Sequence, residues 1–339
     1  MKKILKRITS ISLVALMSAS LSACGAQKKE VQRYAWPLGT SSPEDTVTQI
    51  YAEKFADEVS KLSNGTMKIQ VYPNSVLGGD RELLESCKDG DIPFVIQNTA
   101  PQVTFMPDIA VFDMPRVYNT IDEVRQAVDN PTFLKKIEKV YEEAGYDLLG
   151  YADQGFRVMS TNTKINTIDD FKGQKIRTME NSYHMAFWKA LNASPTPMTF
   201  SEVYIGLQQG TIDAEENPYE VIVSGKIYEQ QDYVIKTNHL PHLLSMIVNE
   251  EFYNRLSEDD QKIINQAANN ARDYAREQCD ERVNNRLQII KESGTQEIEL
   301  SDELIQEMRE ASQSVYDSIH QQVGDELFEA YTKNMNRGE

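Results

Sequence analysis

Residues 34–71 read YAWPLGTSSPEDTVTQIYAEKFADEVSKLSNGTMKIQV, and they set the pattern for the rest of the chain. Tyr34-Ala35-Trp36-Pro37-Leu38 has the make-up of a short opening strand. Ser42-Pro43-Glu44-Asp45 then carries a helix start: a capping Ser, Pro at the first helical position and an acid in the first turn. Val47, Ile50, Tyr51, Phe55, Val59 and Leu62 recur at helical spacing, and Gly65 closes the element. Met67, Ile69 and Val71 alternate with polar residues, which predicts a strand stopped by Pro73. Arg81 to Asp89 reads as a second helix and Ile92 to Ile96 as a second buried strand. The order β-α-β-α-β favours a parallel sheet with helices on its faces.

The pattern restarts downstream. Tyr146–Tyr151 and Arg157–Ser160 read as strands, Ile168–Phe171 as a short helix, Lys175–Arg177 as a strand edge and His184–Leu191 as a helix. Thr199-Phe200-Ser201-Glu202 has the form of a capping box opening a helix that ends at Gly210. His242–Asn249 is a further apolar strand. From Ser257 the chain turns helical to about Lys291, with Ile263, Ile264, Ala267, Ala271, Tyr274 and Ala275 on one stripe. Gln296–Leu300 reads as a strand, and more helix finishes the chain. The expected class is α/β, two lobes joined by a long hinge-spanning helix. The expected lobe boundaries are 33–154 plus 243–282 for lobe I and 155–242 plus 283–336 for lobe II.

The 339 residues hold 35 basic and 52 acidic side chains, four His and three Cys. Lys2, Lys3, Lys6 and Arg7 precede a short apolar run from Ile8 to Leu21, and no acid occurs before Cys24. About 20 uninterrupted apolar residues are needed to span a bilayer, so this run reads as an export signal over residues 1–23. Without it, 31 basic side chains face 52 acidic ones, a balance of −21. So acidic a surface argues against nucleic acid as a partner. At 40% hydrophobic and 26% charged residues, the chain has the composition of a folded globular protein. Cys87 and Cys279 sit in helical stretches and read as two small buried hydrophobes more readily than as a disulfide.

Signatures of enzyme chemistry are mostly absent: there is no G-x-S-x-G, no G-x-x-x-x-G-K-[ST] and no G-x-G-x-x-G. His239-Leu240-Pro241-His242 has the spacing of a metal pair, but Pro241 breaks the helix that would align the imidazoles. Glu215-Glu216 and Glu258-Asp259-Asp260 suggest a paired-carboxylate glycosidase, yet with 52 acids a solvated face explains such runs better. Two arginines stand out instead. Arg157 follows Gly155-Phe156 in an apolar strand, and Arg177 lies in Lys175-Ile176-Arg177. A guanidinium on a buried strand needs an anion, and its planar fork matches a carboxylate. That anion can be the protein's own acid or a ligand's, and the residues alone leave both open.

Gly155-Phe156-Arg157, Lys175-Ile176-Arg177-Thr178-Met179-Glu180-Asn181 and Ser194-Pro195-Thr196-Pro197-Met198-Thr199-Phe200 resemble a known family. So do Leu77-Gly78-Gly79-Asp80-Arg81-Glu82, Thr99-Ala100-Pro101, Val111-Phe112-Asp113-Met114-Pro115 and the run from Gln208 to Pro218. The chain is similar, from about Trp36 to about Asn270, to extracytoplasmic solute-binding proteins of tripartite ATP-independent periplasmic (TRAP) transporters of the dicarboxylate-binding type. The resemblance implies two α/β lobes closing on a small organic acid, delivery to membrane permease subunits, and no cofactor. It implies that Arg177 grips the ligand carboxylate, that Arg157 and Asn217 complete the clamp, and that Phe200 packs on the ligand. Glu180, Asp80, Asn98, Thr99 and His239 are implied polar contacts. Leu21-Ser22-Ala23-Cys24 is similar to a bacterial lipobox, implying that Cys24 is lipidated and that residues 24–32 tether an extracytoplasmic domain to the membrane. Ala214 and Asn181-Ser182 depart from the family pattern and are expected beside the cleft. The Lys175–Asn181 version resembles members that bind uronates and related sugar acids. A C4-dicarboxylate receptor is the nearest alternative, a sensory lipoprotein another, and a secreted glycosidase the least supported.

Overall fold

The computed structural model describes residues 34–333. The expected signal segment, the Cys24 anchor and the tether lie outside the described residues. The strands, in chain order, are β1 (Trp36–Gly39), β2 (Ile69–Tyr72), β3 (Phe94–Asn98), β4 (Tyr146–Phe156), β5 (Val158–Thr161) and β6 (Lys175–Thr178). They continue as β7 (Ser194–Pro197), β8 (Ala214–Asn217), β9 (Tyr233–Ile235), β10 (Pro241–Asn249) and β11 (Gln296–Ile298). The helices are α1 (Val47–Leu62), α2 (Asp80–Lys88), α3 (Ile121–Val128), α4 (Pro131–Ala144), α5 (Ser182–Ala190) and α6 (Phe200–Gln208). After them come α7 (Tyr219–Ser224), α8 (Glu250–Asn254), α9 (Glu258–Glu292), α10 (Asp302–Ala311) and α11 (Gln313–Thr332).

Two sheets organise the chain, in the orders β2-β1-β3-β10-β4 and β11-β9-β5-β8-β6-β7. The expected β-α-β-α-β unit is present: β1 pairs parallel to both β2 and β3. β10 then returns between β3 and β4, antiparallel to each. It is buried on both faces, so its side chains alternate between two apolar clusters. Leu244, Met246 and Val248 join α1 and α9, whereas Leu243 and Ile247 join α2, α3 and α4. In the second sheet Met159, Ile176, Ala214 and Ile235 face a cluster closed by Phe187 and Trp188 of α5. Val158 and Val234 face the other side, against α6 and α7.

Several local expectations change. α1 starts at Val47 rather than at Pro43, because Asp45 turns left-handed (φ +56°) and Thr46 Oγ1 accepts from Gln49 N–H as the cap. Thr199 and Glu202 bond each other's side chains (2.9 Å), and no side-chain cap forms on α6. Helix α11, expected in lobe II, packs Val315, Ile319, Leu327, Phe328 and Tyr331 into the lobe I cluster. Its Tyr331 ring meets Phe112, Tyr118 and Phe133 at 5.1–5.4 Å, giving this helix an apolar partner that lobe II does not provide.

Helix α9 carries 35 residues, roughly 50 Å at 1.5 Å per residue. Ile264 to Cys279 lie in a lobe I cluster and Ile290 in a lobe II cluster, so one rigid rod serves both lobes. Where it crosses, Arg286 donates to Glu220 of α7 (2.8 Å) and to the Asp45 carbonyl (2.9 Å). Cys87 and Cys279 are free and buried in different clusters. Among the described residues, no helix is long and apolar enough to cross a membrane.

Candidate ligand cleft

The second sheet places Arg177 on β6 with its side chain turned into the molecule, 2% exposed. Nε and Nη2 both donate to the carbonyl of Met198 (2.9 and 2.7 Å), which follows β7. Nη1 is sealed from solvent and has no protein partner. Two adjoining recesses meet at this guanidinium. One is lined by Asp80, Asn98, Asn217, Phe200 and His242, the other by Asp80, Glu180, Ser75, Thr199 and Phe200, and Ser41 reaches both. The lining comes from both sheets, so the cleft runs between the lobes. Each recess holds about 30 Å³ of free space, room for a water or two, so an organic acid enters only if the lobes part. A larger groove of about 470 Å³ lies over the outer edge of β4. Glu138, Glu142 and Asp147 line it and would repel an organic anion.

Asp80, at the start of α2, accepts from Ser41 Oγ (2.5 Å). Burial pushes its carboxyl above the usual range, while Ser41 and the Arg177 charge pull the other way. Phe200 is half-buried at the first position of α6. Glu180 is exposed at the rim. Asn98 lines the cleft but spends Nδ2 on the Leu243 carbonyl (3.0 Å) and Oδ1 on Ala100 N–H (2.9 Å), locking the turn after β3. Asn217 also lines it, its amide shared between Arg157 and Glu215.

Arg157, Thr99 and His239 stand elsewhere. Arg157 precedes β5, two strands from β6, so the two arginines are not on neighbouring strands. It is fully buried, and Nε and Nη2 close on the Glu216 carboxylate, Nη2 adding the Glu216 carbonyl. Nη1 meets His242 Nδ1 (2.5 Å). This guanidinium is held by the protein's own acid and lines neither recess. Thr99 starts the 3₁₀ turn Ala100–Thr104 and lies outside both recesses. His239 is sealed in the core, bonded to Thr237 Oγ1 (2.8 Å) and Glu216 Oε2 (3.0 Å) and stacked on Phe187. Glu215 and Glu216, read from sequence as a solvated run, are both 0% exposed and cannot reach a substrate as a catalytic pair.

Glu216 is the centre of a buried polar network. Arg157, His184 and His239 hold its carboxylate well below the usual range against the burial that opposes its charge. Burial also opposes the charge on His184, but Asp113 and Glu216 outweigh it and raise that imidazole to about 9. His184 Nε2 reaches Asp113 Oδ1 (3.1 Å), and Asn181 Nδ2 donates to Asp113 Oδ2 (2.6 Å) and the Ala100 carbonyl (2.9 Å). These contacts join α5 of lobe II to the 3₁₀ turns of lobe I. Asn181 is thus an interlobe strut and helix cap, and Ala214 is core packing. The sequence reading missed Ser41, Met179, His242 and this network. A His count of four was a usable signal, since three of them converge here.

Two lobes, a cleft between them and an unpaired buried guanidinium in that cleft are the architecture of a solute-binding receptor. The family model for bacterial extracellular solute-binding proteins, family 7, matches residues 38–322, and the chain belongs to that family. The C4-dicarboxylate-binding periplasmic protein of Rhodobacter capsulatus is 34% identical over 284 residues, 81% of this chain and 82% of that one. The sugar acid binding protein of Advenella mimigardefordensis, solved with galactonate, superposes with a TM-score of 0.86 at 28% identity, covering 91% and 100% of the two chains. A TRAP periplasmic solute binding protein of Shewanella oneidensis with bound succinate gives 0.85 at 26% identity, covering 91% and 100%. The protein is thus a TRAP-type extracytoplasmic solute-binding protein, of a family of receptors rather than enzymes.

Proposed function

We propose that the cleft captures a hydroxylated monocarboxylate of the sugar-acid class, with Arg177 gripping the carboxylate, and hands it to the permease. One observation carries this reading: Arg177 Nη1 is buried without a partner while Nε and Nη2 are pinned on Met198. A sealed, unpaired donor on a charged group is costly, and a ligand carboxylate supplies the missing acceptor. Asp80, held by Ser41 at the same recess, is placed to accept from ligand hydroxyls, and Phe200 offers a face for the carbon chain. Asn217 is the second polar contact. Arg157 serves as its support rather than as a clamp arm.

A C4-dicarboxylate is the rival ligand, favoured by the Rhodobacter capsulatus relative. Asp80 works against it where that half-buried carboxyl is ionised, because a second ligand carboxylate would then face a like charge. Thermal-shift titration of the purified protein with galactonate, galacturonate and succinate tests the reading. A ligand at a hundredfold excess over Kd adds about 2.7 kcal/mol of stability. Stabilisation by succinate and not by either sugar acid would reverse the choice. Arg177→Lys is expected to weaken galactonate binding ten- to a thousandfold by calorimetry, at about 1.4 kcal/mol per decade. Unchanged affinity would refute the clamp. The same reading anchors the domain through Cys24, so labelled palmitate should be incorporated by the wild type and not by Cys24→Ala.

A further inference from the structure

We infer that His242 is a ligand-contacting residue of the cleft, a neutral imidazole that presents its Nε2–H to an oxygen at the carboxylate end of the bound acid, in a tautomer dictated by Arg157. The inference rests on the cleft being the ligand site.

The tautomer follows from donor and acceptor chemistry. His242 Nδ1 lies 2.5 Å from Arg157 Nη1. A guanidinium has five N–H donors and no acceptor, and it does not lose its proton in proteins. Nδ1 therefore accepts, and the ring proton must sit on Nε2. A second proton on Nδ1 would point an N–H at a cation, so the ring stays neutral. Burial, then the Arg157 charge, drive His242 well below the ordinary imidazole range, in agreement with the geometry.

The direction of Nε2 follows from what surrounds it. His242 lines the same recess as Arg177, Asn98 and Asn217. Nδ1 is its bonded nitrogen, and Nε2 is not among the sealed polar atoms that lack a partner. An unpaired Nε2 that is not sealed opens onto the recess. The backbone fixes the approach: Pro241 pairs with Phe156 at the first rung between β10 and β4, and the Leu243 carbonyl is held by Asn98. Arg157 cannot swing to release the ring, because Glu216 holds its Nε and Nη2. Arg157 is thus a positioning residue, acting on the ligand through His242. Arg177 comes from lobe II and His242 from β10 of the lobe I sheet, so one carboxylate engaging both draws the lobes together.

Calorimetry with galactonate and ring-nitrogen NMR on the purified full chain test this. His242→Leu is expected to lower galactonate affinity at least tenfold. His242→Gln, which keeps an N–H donor, should stay within about threefold of wild type. In the unliganded protein the His242 ring should show a protonated Nε2 and a bare Nδ1, and galactonate should shift the Nε2–H resonance alone. A protonated Nδ1, or an Nε2–H that ignores galactonate, overturns the inference. If His242→Leu does not fold, the Gln variant and the ring spectrum decide. Binding lost in Arg177→Lys but kept in His242→Leu defeats this inference and leaves the cleft reading standing. Failure of the wild type to bind galactonate, galacturonate or succinate defeats both.

Discussion

A guanidinium taken out of water needs acceptors for its donors, and Arg157 and Arg177 solve that need in opposite ways. Arg157 is paired with Glu216, both at 0% exposure, and its role is to hold other groups in place. Arg177 is given a carbonyl for two donors and left short for the third. The first arrangement is expensive to break and the second expensive to leave unliganded. Arg157→Ala would strand a buried carboxylate, so a loss of about 3–5 kcal/mol is expected in denaturant unfolding. Arg157 and Glu216 replaced together by apolar residues should lose much less. Arg177→Met removes a buried charge with no acid in contact, and its unliganded form is expected to melt no lower than wild type. A large drop would mean that Arg177 is structural.

Between elements, the polar network is what ties α5 to the 3₁₀ turn Pro107–Asp113. Its histidines give stability a particular pH dependence. His184 keeps its proton to about pH 9 in the fold, against 6.5 unfolded. Its contribution is complete below pH 6.5 and is lost as pH rises toward 9, because there the folded state holds the extra proton. His239 runs the other way. Burial lowers it to about 4, so between pH 4 and 6.5 the unfolded chain binds the extra proton and acid favours unfolding. Taken by themselves, these two imidazoles favour the fold most near pH 6.5. His184→Gln should flatten the alkaline limb between pH 7 and 9, and an alkaline limb unchanged in that variant would show that Asp113 and Glu216 do not hold the ring charged. Helix α9 is the other link. Arg286→Ala removes one of two arginines on Glu220 and Asp45, and a loss of about 2 kcal/mol is expected in thermal unfolding.

At the scale of the molecule, the cleft is narrow, and a ligand of ten or more heavy atoms requires the lobes to separate before they close on it. Asp80 and His242 line the cleft from one lobe and Arg177, Asn217 and Phe200 from the other, so under the proposed reading a ligand that touches all five binds the closed form best. Ligand binding therefore shifts the population toward closure by its differential affinity for that form. Small-angle scattering should show a smaller radius of gyration with saturating galactonate than without. Arg177→Lys should need a ten- to thousandfold higher concentration for the same compaction, and compaction at the wild-type concentration would detach closure from the clamp.

Periodicity and order of elements were enough to predict two α/β lobes, the parallel β1–β2–β3 unit and the α9 rod, because apolar spacing and caps are local properties of the chain. The resemblance of Lys175–Asn181 and its companions pointed to the cleft and to Arg177 for the same reason: the motif is contiguous. Partner choice is not local. Glu216 lies 59 residues from Arg157 and 23 from His239, and only the packing of β5, β8 and the β9–β10 link brings them together. Burial then decided that Arg157 answers to the protein's own carboxylate, that His239 is core, and that His242 lines the cleft. The closing helical stretch was expected from sequence, but nothing local says which of two apolar surfaces will cover it. A chain specifies its elements through near neighbours, and it assigns the jobs of its charged groups only when folding has chosen which of them lose their water.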